Sequence, residues 1–68
     1  MTGQCDSQQA VFFAAHRDAD TMLVRDGDPD AFFAWALGTI RRQGDRYLRY
    51  AALDGIMAAM DDDEARRG

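Results

Sequence analysis

The chain has 68 residues, of which 47% are hydrophobic and 29% are charged, a balance that is typical of a folded domain and argues against intrinsic disorder. Its formal net charge of −4 disfavours non-specific binding to nucleic acid or to an anionic membrane. Because Cys5 is the single cysteine, an intrachain disulfide is impossible and a cysteine-based zinc site is not expected.

The first predicted helix extends from about Ser7 to Asp26, with Asp6 or Ser7 as its N-cap. Phe13 and Val24 lie beside its apolar stripe, so the apolar arc is wider than one neighbouring helix covers. The stripe itself repeats at the spacing of one helix face and consists of Val11, Phe12, Ala15, Ala19, Met22 and Leu23.

Two Gly-Asp pairs divide the rest of the chain into two further helices. Glycine readily adopts the left-handed conformation that ends a helix, and aspartate accepts hydrogen bonds from the first free N–H groups of the next helix. Gly27-Asp28 is followed by Pro29, which is favoured at the first position of a helix. Gly44-Asp45 carries the same signal. Both pairs therefore predict short joins between helices.

The second predicted helix extends from Pro29 to about Gln43. Gly38 in its middle costs about 1 kcal/mol relative to alanine, so we expect a close helix contact at this glycine. The apolar stripe of this helix consists of Phe32, Phe33, Ala36, Leu37 and Ile40.

The third predicted helix extends from Arg46 to about Asp62. Its apolar stripe consists of Leu48, Ala52, Ile56, Ala59 and Met60, with Leu53 beside it. Small residues also recur at near-regular spacing, at Ala51, Gly55 and Ala58 or Ala59, and this pattern allows another backbone to approach closely.

The charged tail over residues 61–68 is expected to fray, because its acidic residues oppose the dipole at the C-terminus of a helix. Pairs at i,i+4 spacing, between Asp62 and Arg66 and between Asp63 and Arg67, add only a few tenths of a kcal/mol each.

Three amphipathic helices with short joins predict an all-α fold and one domain over residues 1–68. The fold is either a three-helix bundle or a helical hairpin with an extra N-terminal helix. A core of this size supplies about 3–5 kcal/mol at most, so we expect a homodimer in which two chains share one core. The first six residues lack the basic and apolar segments of a signal peptide, and we expect a cytoplasmic protein with no membrane association.

The sequence carries no recognisable catalytic or cofactor-binding motif. The segment from Asp26 to Asp30 has the alternating carboxylates of a calcium loop, but Ala31 and Leu37 stand where such a loop needs glycine and glutamate. His16 has Asp20 four residues later, and we expect that carboxylate to satisfy it structurally. We therefore predict no enzyme activity, no metal and no cofactor.

Arginine and aromatic residues cluster around the second Gly-Asp pair, and these residue types dominate the contacts that matter most between proteins. In the alternative interpretation, Trp35 and Tyr47 belong to the core and the arginines pair with Asp45 and Asp54. The candidate partner-binding residues are Trp35, Arg42, Arg46, Tyr47, Arg49, Tyr50 and Met57.

The sequence thus favours a small regulator, an adaptor or inhibitor, that occupies a functional surface of a partner protein with an acidic or mixed groove. All eight basic residues are arginine, which indicates a GC-rich genome. Small acidic proteins from such a coding context are often accessory products of phages or plasmids. One alternative is a helix-turn-helix regulator that contacts DNA through Arg42, Arg46 and Arg49. A second alternative is an acidic mimic of nucleic acid that uses Asp18, Asp20, Asp26, Asp28 and Asp30.

Overall fold

A computed structural model describes residues 3–25 and 27–67, with side chains from residue 7 onward. It contains three α-helices, α1 (Gly3–Arg25), α2 (Pro29–Arg42) and α3 (Arg46–Arg67). The all-α prediction is therefore confirmed. None of these three helices is both long enough and apolar enough to cross a bilayer.

The helices form an up-down-up bundle in which α1 and α3 run parallel. His16 of α1 bonds to Asp62 of α3, and Asp20, one turn later, bonds to Arg66, so residue numbers rise together along the two helices. The helix between them runs the other way, because Phe32 near the start of α2 lies in a small pocket with Asp63 near the end of α3. The bundle measures 39 × 21 × 14 Å.

The helices α1 and α3 come into close contact at Gly55. A Cβ atom built on Gly55 would collide with the carbonyl oxygen of Phe12 and would lie 3.1 Å from the amide nitrogen of His16. The pattern of small residues in the third helix therefore does allow another backbone to approach closely. Around this point the interface is built of fully or nearly fully buried alanines: Ala15, Ala19, Ala52 and Ala59.

The core is small and consists mainly of alanine. Among the buried residues of the described ranges, only Phe32 and Ile56 have side chains larger than a methyl group. All six residues of the stripe predicted for the first helix are buried or half-buried, as expected. The stripe of the second helix is wrong in part, because Phe33 is 57% exposed and Leu37 is 54% exposed. Partly buried residues surround the core at Val11, Met22, Leu23, Trp35 and Ile40.

The first Gly-Asp pair has the predicted structure. Gly27 has a φ of 66°, in the left-handed region that glycine adopts without strain. Asp28 caps α2, since its carboxylate oxygen accepts hydrogen bonds from the backbone N–H of Asp30 at 3.0 Å and of Ala31 at 3.4 Å. Pro29 occupies the first turn, where a missing N–H costs nothing.

At the second Gly-Asp pair, the predicted aspartate cap is present but the predicted glycine conformation is not. Asp45 caps α3, because its carboxylate accepts a 2.7 Å hydrogen bond from the backbone N–H of Tyr47. Gly44, in contrast, does not have a positive φ. The helix ends instead at Gln43, whose backbone is extended and whose N–H donates to the carbonyl oxygen of Ile40 at 3.2 Å.

Both outer helix ends differ from the predicted bounds. α1 begins at Gly3, so Ser7 lies inside the helix rather than at its cap, and the predicted end at Asp26 falls outside the described residues. α3 continues five residues past Asp62, to Arg67, where fraying was expected. The helix is extended there by ion pairs that partly offset the unfavourable dipole.

Those ion pairs join the tail of α3 to α1 as well as to itself. Arg66 donates to Asp20 at 2.7 Å, and this hydrogen bond raises the pKa of the Arg66 guanidinium. Arg67 and Asp63 lie 3.0 Å apart, as the i,i+4 spacing predicted. Asp62 instead contacts His16, at 3.0 Å, so the expected pairing of His16 with Asp20 is wrong.

Alanine substitution at two glycines should have opposite effects. Gly55→Ala places a methyl group against the backbone of α1, and we expect the free energy of unfolding to fall by about 1–3 kcal/mol. Gly38 has no atom within 4 Å of the added Cβ, contrary to the contact predicted there. Gly38→Ala should therefore stabilise the protein by about 0.5–1 kcal/mol through helix propensity alone.

Urea unfolding followed by circular dichroism, at one fixed protein concentration, measures both effects. A similar stabilisation by the two substitutions would show that Gly55 does not set the distance between α1 and α3.

Candidate protein-binding surface

The seven predicted contact residues do not form one surface. Trp35 and Arg42 line the groove between α1 and α2. Tyr47 and Tyr50 line the groove between α1 and α3. Met57 is 53% exposed, on the side of α3 that faces away from α1. Tyr47 and Tyr50 therefore line the same groove, and Trp35 lines a different one.

Trp35 contributes to the packing of the bundle. Its ring is half-buried against the core, and its centroid lies 5.7 Å from that of Phe32 in a tilted arrangement. An aromatic pair of this geometry stabilises by about 0.5–1.5 kcal/mol beyond the area that it buries. The core interpretation therefore fits Trp35 better than the contact interpretation.

The arginines around the second join make local contacts. Arg49 donates from Nε to the backbone carbonyl of Gln43 at 2.8 Å and so links α3 to the end of α2. Arg42 folds back along its own helix, with its terminal nitrogen 3.4 Å from the hydroxyl of Thr39. Arg46 lies 5.8 Å from the ring centroid of Tyr47, a cation–π contact. None of these three contacts involves Asp45 or Asp54.

A groove with an aromatic lining lies between α1 and the first half of α3. Its volume is about 450 Å³. Phe12 and Phe13 meet edge to face on one side, with ring centroids 5.3 Å apart, and Phe13 remains 64% exposed. Tyr47 and Tyr50 line the other side, and the remaining lining residues are Gln8, Gln9, Ala51 and Asp54. The sequence placed Phe13 beside the core stripe, which was the available signal that it faces outward.

A second exposed apolar surface lies across α2 and α3. Leu53 and Met57 are each two residues from Gly55, and two residues rotate a side chain by about 200° around a helix. They therefore face away from α1, which Gly55 touches. Phe33 and Leu37 stand in the same relation to Trp35 of α2.

No protein-family model, no curated protein and no solved structure matches this chain. Function is therefore inferred from the molecular surface alone. In the part of the chain that the structure describes, no three His, Cys, Asp or Glu side chains come together as a set of metal ligands. The two apolar surfaces are its most distinctive chemical features.

Replacing arginines of the second join separates a structural role from a contact role. Arg49→Ala removes the hydrogen bond to the Gln43 carbonyl, and we expect the free energy of unfolding to fall by about 0.5 kcal/mol, the low end for an exposed bond. Arg42→Ala serves as the matched control and should change it by less, because the hydrogen bonds of this side chain stay within α2. Paired urea unfolding curves check the difference; equal values would remove the structural role of Arg49.

Proposed function

We propose that this protein is a small regulator, an adaptor or inhibitor, that works by binding another protein. One observation supports the proposal above all. Among the side chains that the structure describes, nine large apolar ones are at least 40% exposed, whereas five of the seven buried hydrophobic residues are alanine. Hydrophobic surface on this scale stabilises a complex when it is covered. The distribution is that of a binding module with apolar residues available for contact.

The groove between α1 and α3 is the proposed contact site for the partner. Aromatic side chains supply large, stiff contact surfaces, and Tyr and Arg are over-represented among residues that contribute most to binding. Phe13, Tyr47 and Tyr50 fill that role here, with Arg46 beside Tyr47. The occupant that fits is a helix or loop that presents one apolar anchor to these aromatic side chains.

Self-association is part of the proposal. The size of the core and the wide exposed surfaces both favour a homodimer, since burial against a second copy contributes stability that the isolated chain lacks. A dimer that uses the surface across α2 and α3 would leave most of the groove between α1 and α3 open to another protein.

The two nucleic-acid alternatives gain less support. A helix-turn-helix unit crosses its helices at about 90–120°. Here α2 and α3 lie alongside each other from the Arg49–Gln43 bond at one end to the pocket of Phe32 and Asp63 at the other. Among the aspartates proposed for nucleic-acid mimicry, Asp20 is already bound to Arg66, Asp28 caps α2, and Asp26 falls outside the described residues.

Affinity capture from the native host with matched variants tests the proposed function. We expect Phe13→Ser and Tyr47→Ser each to weaken partner binding by about 30-fold, the loss typical of a side chain that dominates an interface. Val24→Ser is the control, because Val24 is 69% exposed at the far end of α1. Isothermal titration with the captured partner gives the affinities, and circular dichroism verifies that each variant is folded.

Three results would contradict the proposal. The first is a partner that binds all three variants equally, because the groove would then have no part in binding. The second is retention of the protein on DNA with steep salt dependence, which is the signature of phosphate contacts. The third is a capture experiment in which no protein binds the wild type and fails to bind the groove variants.

A further inference from the structure

The outward face of α3 carries an apolar seam with the spacing of a coiled coil. Tyr50, Leu53, Met57 and Met60 follow one another at intervals of three, four and three residues, and all four are between 40% and 56% exposed. At 100° per residue they fall within an arc of about 80°. This alternation of three and four is the a/d pattern by which two helices pack side by side.

Residues of opposite charge lie at the two ends of this seam. Arg46 lies four residues before Tyr50, and Glu64 lies four residues after Met60, so both continue the same heptad series. Within the described chain, neither side chain takes part in an ion pair. A helix face with a cation at its start and an anion at its end is complementary to its own copy turned end over end.

We infer that two copies of this protein associate through the α3 seam in antiparallel orientation, about a two-fold axis level with Gly55. In this register Arg46 meets Glu64 of the second copy, Tyr50 meets Met60, and Leu53 meets Met57. Each pair is centred on residue 55, so the whole series matches at once. A parallel pair would instead set arginine against arginine and glutamate against glutamate at the two ends, which is destabilising.

The flanking helix fits the same arrangement. A two-fold axis perpendicular to both α3 helices keeps the α2 helices of the two copies on one side of the pair. Phe33 and Leu37 of α2 face away from α1 on that side, and they would cover the seam from both copies. A standard interface buries about 800 Å² per partner, roughly one sixth of the 4808 Å² accessible on one copy.

One residue opposes the pairing and provides an internal test. Asp54 follows Leu53 at a flanking position near the proposed axis, so the Asp54 carboxylates of the two copies come close to each other. Like charges so placed repel, and they limit the affinity of the dimer. Asp54→Asn should therefore strengthen association about threefold, an effect opposite in direction to that of any substitution within the seam.

Sedimentation equilibrium measures the predicted effects. This inference rests on the proposed homodimer, so the wild type must show a dimer of the 7.6 kDa chain. Arg46→Glu and Glu64→Arg should each weaken it about tenfold, because two attractive pairs become repulsive, and the double swap should restore it. Leu53→Ser should weaken it at least as much, whereas Val24→Ser should not. The charge variants keep the interior unchanged, so they test the seam even if Leu53→Ser fails to fold.

Disulfide trapping determines the orientation. In a Cys5→Ser background, a chain with Arg46→Cys and a chain with Glu64→Cys are oxidised separately and as a mixture. We expect covalent dimers only in the mixture, since residue 46 lies about 27 Å along the helix from its own copy in an antiparallel pair. Covalent dimers from each chain alone would show a parallel pair and overturn the inference.

The outcomes separate this inference from the proposed function. A purely monomeric wild type overturns both the dimer and the seam but leaves the capture experiment on Phe13 and Tyr47 to decide partner binding. A dimer that is unaffected by Arg46→Glu, Glu64→Arg and Leu53→Ser overturns the seam and leaves self-association through another surface.

Discussion

The close approach of α1 and α3 at Gly55 is the constraint from which the other features follow. Two backbones can come this near only where side chains are reduced to methyl groups or to hydrogen. The residues between the helices are accordingly alanines, which bury little apolar area each. Burial of one methyl-sized group contributes about 0.8 kcal/mol, against about 1.5–3 kcal/mol for a leucine or phenylalanine side chain. The close packing of α1 against α3 therefore provides less hydrophobic stabilisation than larger side chains would.

The larger apolar side chains are consequently displaced to the outside of the bundle. Apart from Val24, the exposed ones lie on two surfaces, the aromatic groove between α1 and α3 and the face across α2 and α3. A chain with a larger apolar core would gain less stability from binding a partner, and a chain with a polar exterior would have less apolar area to bury against one. Here a small alanine core occurs together with exposed apolar surface. The two proposals assign one surface to a partner protein and the other to a second copy, and Tyr50 lies where the two surfaces meet.

The sequence predicted the number of helices, the face of α1 that is buried and the structure of the Gly27-Asp28 join. These features depend on local chemistry, namely capping, backbone conformation and periodicity. It could not predict which flank of α2 faces the core, because Phe32 and Phe33 are adjacent and their stripe is wide enough to be oriented either way.

The role of each glycine and the length of α3 could not be predicted for a related reason. Gly38 and Gly55 are both mid-helix glycines in the sequence, and only the arrangement in space distinguishes the exposed one from the one under α1. The sequence indicated half of the lining of the groove between α1 and α3, namely Tyr47 and Tyr50, whereas Phe12 and Phe13 come from a helix distant in sequence. The last turns of α3 are held by Asp20, which lies 46 residues earlier in the chain.

The two bonds between α1 and α3, His16–Asp62 and Arg66–Asp20, also help to fix how the two helices are aligned along their length. Smooth methyl surfaces have few ridges to prevent one helix from sliding along the other. A slip of one turn in one direction would bring Asp20 beside Asp62, where two carboxylates repel each other. A slip in the other direction would bring His16 beside Arg66 and would break both cross-helix bonds. The order of positive and negative side chains along α1 and α3 thus specifies one longitudinal alignment of the two helices.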